Sequence, residues 1–282
     1  MRKFLFILFL LSAAALAVVR AVPARVVWCC GGSGGNPDFC LVNTSNIDFY
    51  FRLDDAAGGP WVDATGQLAS LTAAGATQIK SYLGKITNAA GFDNAKTQYC
   101  VGPTSGSCTL SNNDTTLTCW VYLTNKTTSQ AFLSKDTFST TQSGYVIDYD
   151  TGTDRFRFRA GGTNGMSVPQ TVSVTSTNGG SPSINTWYFL CAQFCRASNY
   201  IAISVNDSGL DKINYPSTIA PQVNTSTLRI GAMTTHLPPY AAEATIGMID
   251  EVGKWGRLLL TNEVTCLYHS GAPTKFQTYP FN

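Results

Sequence analysis

The segment YVIDYDTGTDRFRFR, residues 145–159, decides the fold that the sequence predicts. Apolar and polar residues alternate on both sides of a central Thr-Gly, which is typical of two antiparallel strands joined by a tight turn. Such a register puts apolar residues on one face and charged residues on the other, as a half-buried sheet requires. With residues 151 and 152 at the tip, the predicted cross-strand pairs are Ile147 with Phe156, Tyr145 with Phe158, and Asp148 with Arg155.

The same period-two pattern recurs along the chain. It is clearest at residues 47–53, 117–123 and 200–205, and the last of these runs into a turn at Asn206–Gly209. β-Branched and aromatic residues dominate these segments, which favours strands. Many short strands with almost no helical periodicity predict an all-β fold, a two-sheet antiparallel jelly-roll sandwich.

One short stretch has helical character. Residues 261–268 could form a C-terminal helical turn, with Thr261 as its N-cap and Glu263 in the first turn. A hydroxyl at the cap and an acidic residue near the positive end of the helix dipole both favour this interpretation.

The N-terminus has the pattern of an export signal. Two basic residues precede an apolar run from Phe4 to Ala17, which predicts a signal peptide over residues 1–24 and a secreted or cell-surface protein. An uncleaved anchor is the alternative, but the run is short for a membrane span. We divide the mature chain into a Cys- and Gly-rich arm (25–47), a sandwich (48–272) and a tail (273–282).

Charge argues against nucleic acid as a partner. Removing Arg2, Lys3 and Arg20 from the 19 basic residues leaves 16 against 17 acidic ones, a net charge near −1. Binding to a phosphate backbone requires a basic stripe, and the sequence has none. No segment after the signal peptide is apolar enough to insert stably into a membrane.

The nine cysteines follow the export signal, so they are read as disulfide candidates, with one left over for a free thiol or another chain. Zinc is disfavoured, because the spacing lacks a second pair. The candidates are Cys29, Cys30, Cys40, Cys100, Cys108, Cys119, Cys191, Cys195 and Cys266.

Several motifs in order resemble a known family. They are WVDATG at 61–66, LTCWVYL at 117–123, NTWYFL at 185–190, and GMIDEV at 247–252 followed by Leu258, Glu263, Leu267 and Tyr268. Together they resemble the laminin-G-like domains of the concanavalin A-like lectin and glucanase superfamily. The resemblance implies a jelly roll that serves as a binding or adhesion module, often with a bound calcium ion.

Calcium is the cofactor that this resemblance suggests, in a structural role. Asp63 and Asp250 would ligate it if the first and last strands are neighbours, with backbone carbonyls completing the shell. Alternatively, Asp63 shapes its own turn and Asp250 accepts hydrogen bonds from loop amides.

Catalysis lacks a candidate pair of carboxylates, so the sequence predicts that the protein is not an enzyme. Asp250 and Glu251 are adjacent, and a regular strand points neighbours to opposite faces. Asp148 and Asp150 share a face, but an ion pair with Arg155 is the simpler role for Asp148. The two histidines, at 236 and 269, have no nucleophile motif beside them.

Five sequons predict N-glycosylation acceptors in a secreted chain. They are at Asn43, Asn113, Asn125, Asn206 and Asn224.

The favoured function is a secreted, non-catalytic module that recognises glycans or glycoproteins. Aromatic side chains would stack on sugar rings, although Trp120 and Trp187 are better explained as core. The alternative is a structural subunit of an extracellular filament, in which the arm at 25–47 adds a strand to a neighbour. A glycan-cleaving enzyme is the least favoured of the three.

Overall fold

The computed structural model describes residues 26–30, 40–75, 77–93, 97–104, 106–138, 141–233, 243–268 and 275–278. The predicted signal peptide at 1–24 and both histidines lie outside these residues, as does most of the predicted tail. The strands and the helix, in chain order, are β1 (Val26–Cys30), β2 (Cys40–Asn43), β3 (Ile47–Phe51), β4 (Thr72–Ala74), β5 (Lys80–Leu83), β6 (Asn88–Phe92), β7 (Tyr99–Val101), β8 (Thr115–Leu123), β9 (Gln130–Asp136), β10 (Gly144–Asp150), β11 (Arg155–Thr163), β12 (Pro169–Thr175), β13 (Trp187–Cys195), β14 (Tyr200–Val205), β15 (Asp211–Asn214), β16 (Arg229–Ile230), β17 (Gly247–Trp255), α1 (Thr261–Tyr268) and β18 (Lys275–Thr278).

Two antiparallel sheets form the body of the protein. One has the order β12-β11-β10-β9-β16-β7-β4 and the other the order β15-β14-β13-β8-β17-β6-β5, with β3 also paired to β17. The outer parts of the sheets contain hairpins of consecutive strands, whereas the central pairs, such as β9-β16, β13-β8 and β8-β17, join strands distant in sequence, as in a jelly roll. The predicted all-β sandwich is confirmed.

The main core lies between the two sheets and follows the predicted alternation. Ile147 of β10 and Phe156 of β11 are both buried there. On β8, Val121 and Leu123 enter the same core, whereas Trp120 belongs to a second cluster on the opposite face of its sheet. This second face is called the outer face of the eight-stranded sheet below.

The predicted register of the β10–β11 hairpin is wrong by two residues. Ile147 pairs with Phe158 and Asp148 with Arg157, because residues 151–154 form a four-residue turn rather than a two-residue tip. An even shift leaves every side chain on its predicted face, since the side-chain period of a strand is two. The inward and outward assignments therefore hold although the predicted pairs do not.

Helix α1 has the predicted bounds but a different cap. The backbone N–H of Leu260 donates to Glu263 Oε2 at 2.9 Å, while the Leu260 carbonyl accepts from the Glu263 and Val264 N–H groups. Leu260 is thus the N-cap, and the Glu263 side chain satisfies the backbone N–H of that cap, which is the glutamate half of a capping box. Glu263 also forms a two-pronged ion pair with Arg257, at 2.7 Å for each contact.

The described parts of the predicted arm at 25–47, residues 26–30 and 40–47, pair with other segments of the same chain. β1 pairs with β2 on one side and with β18 on the other, and the Asn43 N–H donates to Glu263 of α1 at 2.8 Å. With an in-chain neighbour on each side, β1 has no unpaired edge. Adding it to a neighbouring subunit would require it to leave this sheet, so the strand-donating arm of the filament alternative gains no support.

The disulfide prediction is too broad. Of the cysteines with described side chains, Cys266 is disulfide-bonded, whereas five are buried thiols. Cys119 and Leu190 occupy paired positions on β8 and β13, so Cys191 points to the other face and cannot reach Cys119. The five thiols are Cys100, Cys108, Cys119, Cys191 and Cys195.

Candidate functional site

The outer face of the eight-stranded sheet divides into a covered and an open half. In the covered half, Tyr268 of α1 stacks on Trp120 with ring centroids 5.8 Å apart, and Lys85 Nζ lies 4.8 Å from the Trp120 centroid. Trp120 is therefore buried, as the sequence indicated. In the open half, Tyr122 and Trp187 stay half-buried.

A single cross-strand row runs through the open half. Lys80 pairs with Gly91, Gly91 with Met248, Met248 with Tyr122, and Tyr122 with Trp187. Paired positions point to the same face of a sheet, and Ile249, next to Met248, enters the main core. The five residues thus form one line across β5, β6, β17, β8 and β13 on the outer face.

Aromatic rings lie near both ends of this cross-strand row. Tyr122 and Trp187 have ring centroids 5.3 Å apart. Tyr82, two residues from Lys80 on β5, lies over Gly91 and is 46% exposed. We call Tyr82, Tyr122, Trp187 and the half-buried Met248 the aromatic row.

A groove of about 320 Å³ opens beside the aromatic row. Its walls combine apolar surface with a few polar side chains, which is typical of small-ligand sites. Lys80 is exposed there, and the Asp93 backbone N–H donates to Gln98 Oε1 at 2.9 Å, which holds that rim in place. Residues that line the groove include Lys80, Tyr82, Asp93, Thr124 and Met248.

Sequence reasoning missed this site. Trp187 was assigned to the core, yet it is half-buried, and Tyr82 was not singled out. A signal was present in β8, where Val121 and Leu123 on one face alternate with the aromatic residues Trp120 and Tyr122 on the other. Such a strand must have its second face covered or used for binding. Here α1 covers one part of that face and leaves the other part open.

Asp63 has the turn-shaping role that was the alternative to calcium. Its carboxylate accepts hydrogen bonds from the backbone N–H groups of Tyr50, Thr65, Gln67 and Leu68, and from the Thr65 hydroxyl, at 2.7–3.1 Å. A carboxylate offers about four lone-pair sites, so five donors saturate it. In this structure the Asp63 carboxylate is therefore committed to its own turn and to the Tyr50 backbone.

Asp250 is buried and only half satisfied. Its Oδ2 accepts the Ile86 N–H at 2.9 Å, but Oδ1 has no partner within the described part of the chain. Burial, and then the charge of Glu251, hold the pKa of Asp250 well above its usual value.

Glu251 departs from the strand geometry that the sequence suggested. Its φ is +50°, and the β17–β8 pairing shifts between Asp250 and Gly253, so the two carboxyls do not simply alternate across a regular strand. Burial raises the pKa of Glu251 to about 8. The Tyr50 hydroxyl favours the ionised form, yet neither carboxylate oxygen makes a hydrogen bond of regular geometry to a described residue.

Asp148 forms an ion pair, as expected, but with Arg157 in place of Arg155, and Asp150 shares the same guanidinium group. Arg157 donates to both Asp148 oxygens at 2.9 and 3.0 Å and lies 3.1 Å from Asp150, while Arg159 also contacts Asp148. Asp148 is fully buried beneath these guanidinium groups. This network leaves neither carboxylate in the groove.

The five sequons differ in accessibility. Asn43 and Asn113 are exposed, whereas Asn125 and Asn206 are half-buried. Asn224 is buried, and its Nδ2 donates to the Ser143 carbonyl at 3.5 Å. A glycan on Asn224 would require this contact to open.

The described residues contain no group of three His, Cys, Asp or Glu side chains arranged to hold a metal ion. No helix within the described ranges has the length and apolar character that crossing a bilayer requires.

Comparison with known proteins agrees with this architecture. The fold is an antiparallel jelly roll, which this chain shares with several solved domains. A laminin G family model described as concanavalin A-like lectin/glucanases superfamily matches residues 93–265, more than half of the chain. The chain belongs to this superfamily. No curated protein matched the sequence significantly.

Solved structures share the fold at low sequence identity. Domain 4 of AbnA, a GH43 extracellular arabinanase from Geobacillus stearothermophilus determined with arabinotriose, is 15% identical at a TM-score of 0.55, covering 79% of this chain and 98% of that domain. The binding domain of Paraclostridial Mosquitocidal Protein 1 is 14% identical at a TM-score of 0.59, covering 80% of this chain and 52% of that one.

A botulinum neurotoxin type C structure, whose cell entry is described as dependent on two ganglioside molecules, is 12% identical at a TM-score of 0.54. The alignment covers 81% of this chain and 52% of that one, so this chain spans about half the length of the toxin structures that it matches.

Proposed function

We propose that this protein is a secreted, non-catalytic module that binds glycans or glycoproteins through the aromatic row and its groove. The observation that carries this proposal is the pair of half-buried rings, Tyr122 and Trp187, held 5.3 Å apart on an open sheet face. One face of a sugar ring is lined by C–H bonds and can pack on such rings, while its hydroxyls reach polar groups on the rim. Lys80 and Asp93 provide those polar groups.

The structural neighbours support a glycan partner by analogy of fold. The arabinanase domain was determined with a bound trisaccharide, and the type C toxin interacts with gangliosides. The arabinanase domain carries its trisaccharide on a jelly-roll scaffold like this one, whereas the toxin alignment covers 52% of that chain and does not locate its ganglioside contacts. Neither likeness identifies the residues used here.

The positions of the carboxylates favour binding over cleavage. Glycoside hydrolysis needs two carboxyl groups that flank the scissile bond. Asp250 and Glu251 are buried, and Asp148 is enclosed by arginines. Among the described residues that line the groove, Asp93 alone carries a carboxylate.

Glycan binding can be tested with Tyr122→Ala and Trp187→Ala on a glycan array, followed by affinity electrophoresis. We expect each variant to lose at least tenfold in affinity for the glycans that the unmodified protein retains. Tyr99→Ala is the matched control, because Tyr99 is a half-buried tyrosine of the other sheet that packs under Arg229. Unchanged retention by both row variants, with melting temperatures near that of the control, would reject this site.

We also propose that the calcium ion implied by the family is held by Asp250 and Glu251, with main-chain carbonyls or water, and not by Asp63. Support comes from the carboxylate oxygens. Asp250 Oδ1 is buried without a hydrogen-bond partner among the described residues, and the buried Glu251 oxygens make no hydrogen bond of regular geometry there, whereas the Asp63 carboxylate accepts five. A cation would neutralise two carboxyls that otherwise resist ionisation.

The calcium proposal predicts that calcium at pH 8 raises the melting temperature and that a chelator reverses the change. Glu251→Gln should abolish the rise in melting temperature that calcium causes. Asp63→Asn should lower the melting temperature but leave the calcium-dependent rise in place. A melting temperature that calcium and chelator leave unmoved in the unmodified protein would count against an ordered ion.

A further inference from the structure

We propose that the aromatic row takes a linear oligosaccharide of about four rings lying across the strands, rather than one terminal sugar. This inference rests on the glycan-binding function proposed above and adds the class of ligand. The cross-strand row from Lys80 to Trp187 consists of residues paired in register on five neighbouring strands. It marks a straight path over the sheet.

The length of the row sets the number of rings. Neighbouring strands lie about 4.8 Å apart, so the path from Gly91 on β6 to Trp187 on β13 spans roughly 14 Å. Tyr82 lies over Gly91, and Tyr122 is two strands away. The repeat of an extended glycan chain is close to one strand spacing, so the rings of Tyr82 and Tyr122 would meet alternate sugars.

The surface between the rings has little to interrupt a chain. Gly91 has no side chain, and Met248 is half-buried. At the far end the row stops at Trp187, because β14 pairs with β13 only from Leu190 onward. At the near end Lys80, on the edge strand β5, is exposed.

The covered half of the outer face prevents a ligand from running parallel to the strands. A chain running along β8 would pass from Tyr122 to Trp120, but Tyr268 and Lys85 lie on Trp120. The loop that carries Lys85 is tied to β17 by the hydrogen bond from Ile86 to Asp250. An extended ligand can therefore cross the strands but cannot follow them.

The test is isothermal titration calorimetry with arabino-, xylo- and cello-oligosaccharides of one to six units. We expect affinity in the best series to rise at least tenfold between two and four units and to change less than twofold beyond that length. Tyr82→Ala should remove most of the gain in affinity that the third and fourth units provide. Leu83→Ala is the control, since Leu83 is 83% exposed on the same strand and is its neighbour in sequence.

A monosaccharide that binds as tightly as the four-unit ligand would overturn the extended ligand while leaving glycan binding in place. Equal length dependence in the Tyr82→Ala variant and the unmodified protein would also overturn it. Absence of binding in all three series, together with a blank glycan array, would instead reject the glycan-binding function itself.

Discussion

The ring of Tyr82 lies directly over Gly91, so that a Cβ atom on Gly91 would stand 2.3 Å from both Cδ2 and Cε2 of the ring. This contact joins the edge strand β5 to β6 and sets where one end of the aromatic row sits. The absence of a side chain at residue 91 is thus what allows the tyrosine to lie across the sheet.

Gly91→Ala is expected to push the Tyr82 ring off the row. Because Tyr82 is 46% exposed and can move, the cost to stability should stay below about 1 kcal/mol, less than for overpacking in a closed core. Loss of one stacking surface should weaken oligosaccharide binding by about threefold to tenfold, as calorimetry can measure. Gly152→Ala, at a hairpin tip with no side chain closer than 3.6 Å, should change neither quantity.

Removing the Asp148 carboxylate should destabilise the protein strongly. It is fully buried and holds Arg157 and Arg159 together, so Asp148→Ala would leave two poorly compensated cations. We expect a loss of about 3 kcal/mol in urea denaturation, since breaking a buried pair costs more than an exposed one. Asp154→Asn, which removes the charge of a partly exposed pair with Lys126 but keeps an acceptor for the Tyr149 hydroxyl and tolerates the positive φ of this residue, should cost less than about 1 kcal/mol. Similar losses in the two variants would contradict the burial argument.

Stability measured in chelator should fall as the pH rises from about 4.5 to 8. The ordinary pKa of a glutamate is 4.5, and folding raises that of Glu251 to about 8. The folded state therefore holds a proton that the unfolded state has lost, and the resulting stability disappears as the pH passes the folded pKa. Groups around Glu251 include Asp54 and Asp250, which disfavour its charge, and Arg52 and Tyr50, which favour it.

Glu251→Gln cannot ionise, so it should flatten this decline and match the unmodified protein near pH 4. Chemical denaturation across the pH range measures the difference. A Glu263→Gln variant should lose stability instead at neutral pH, because Arg257 and two backbone N–H groups hold the pKa of Glu263 below its usual value. Parallel pH profiles for the Glu251→Gln variant and the unmodified protein would show that Glu251 ionises normally.

Glycan occupancy should follow side-chain exposure. Peptide mapping of protein from a glycosylating host is expected to find glycans at Asn43 and Asn113 and none at Asn224, which is 7% exposed. The acceptor nitrogen of Asn224 is committed to the Ser143 carbonyl. Efficient occupancy of Asn224 would mean that this segment is modified before it packs.

The buried thiols should be inert in the native protein. Burial raises the pKa of Cys100 and of Cys119, and that of Cys191 to about 12, so little thiolate forms at neutral pH. Ellman's reagent should label none of the five thiols before denaturation and all of them in guanidinium. Rapid labelling at pH 8 without denaturant would show that the sandwich opens readily.

The sequence by itself determined the sandwich, the faces of its strands and the bounds of α1, because these depend on the local alternation of apolar residues. The inward positions of Ile147 and Phe156 survived even though the register moved by two residues. The turn between them was misjudged, since loop length depends on backbone geometry that a Thr-Gly pair does not specify.

Only the tertiary structure decided the site. The aromatic row brings Tyr82 and Trp187 onto one face although they are more than a hundred residues apart in sequence. Likewise, the shifted pairing at Glu251 and the burial of Asn224 arise from contacts with distant segments. A local pattern tells which side chains leave the core, but the order of the strands in the sheet decides which of those side chains meet.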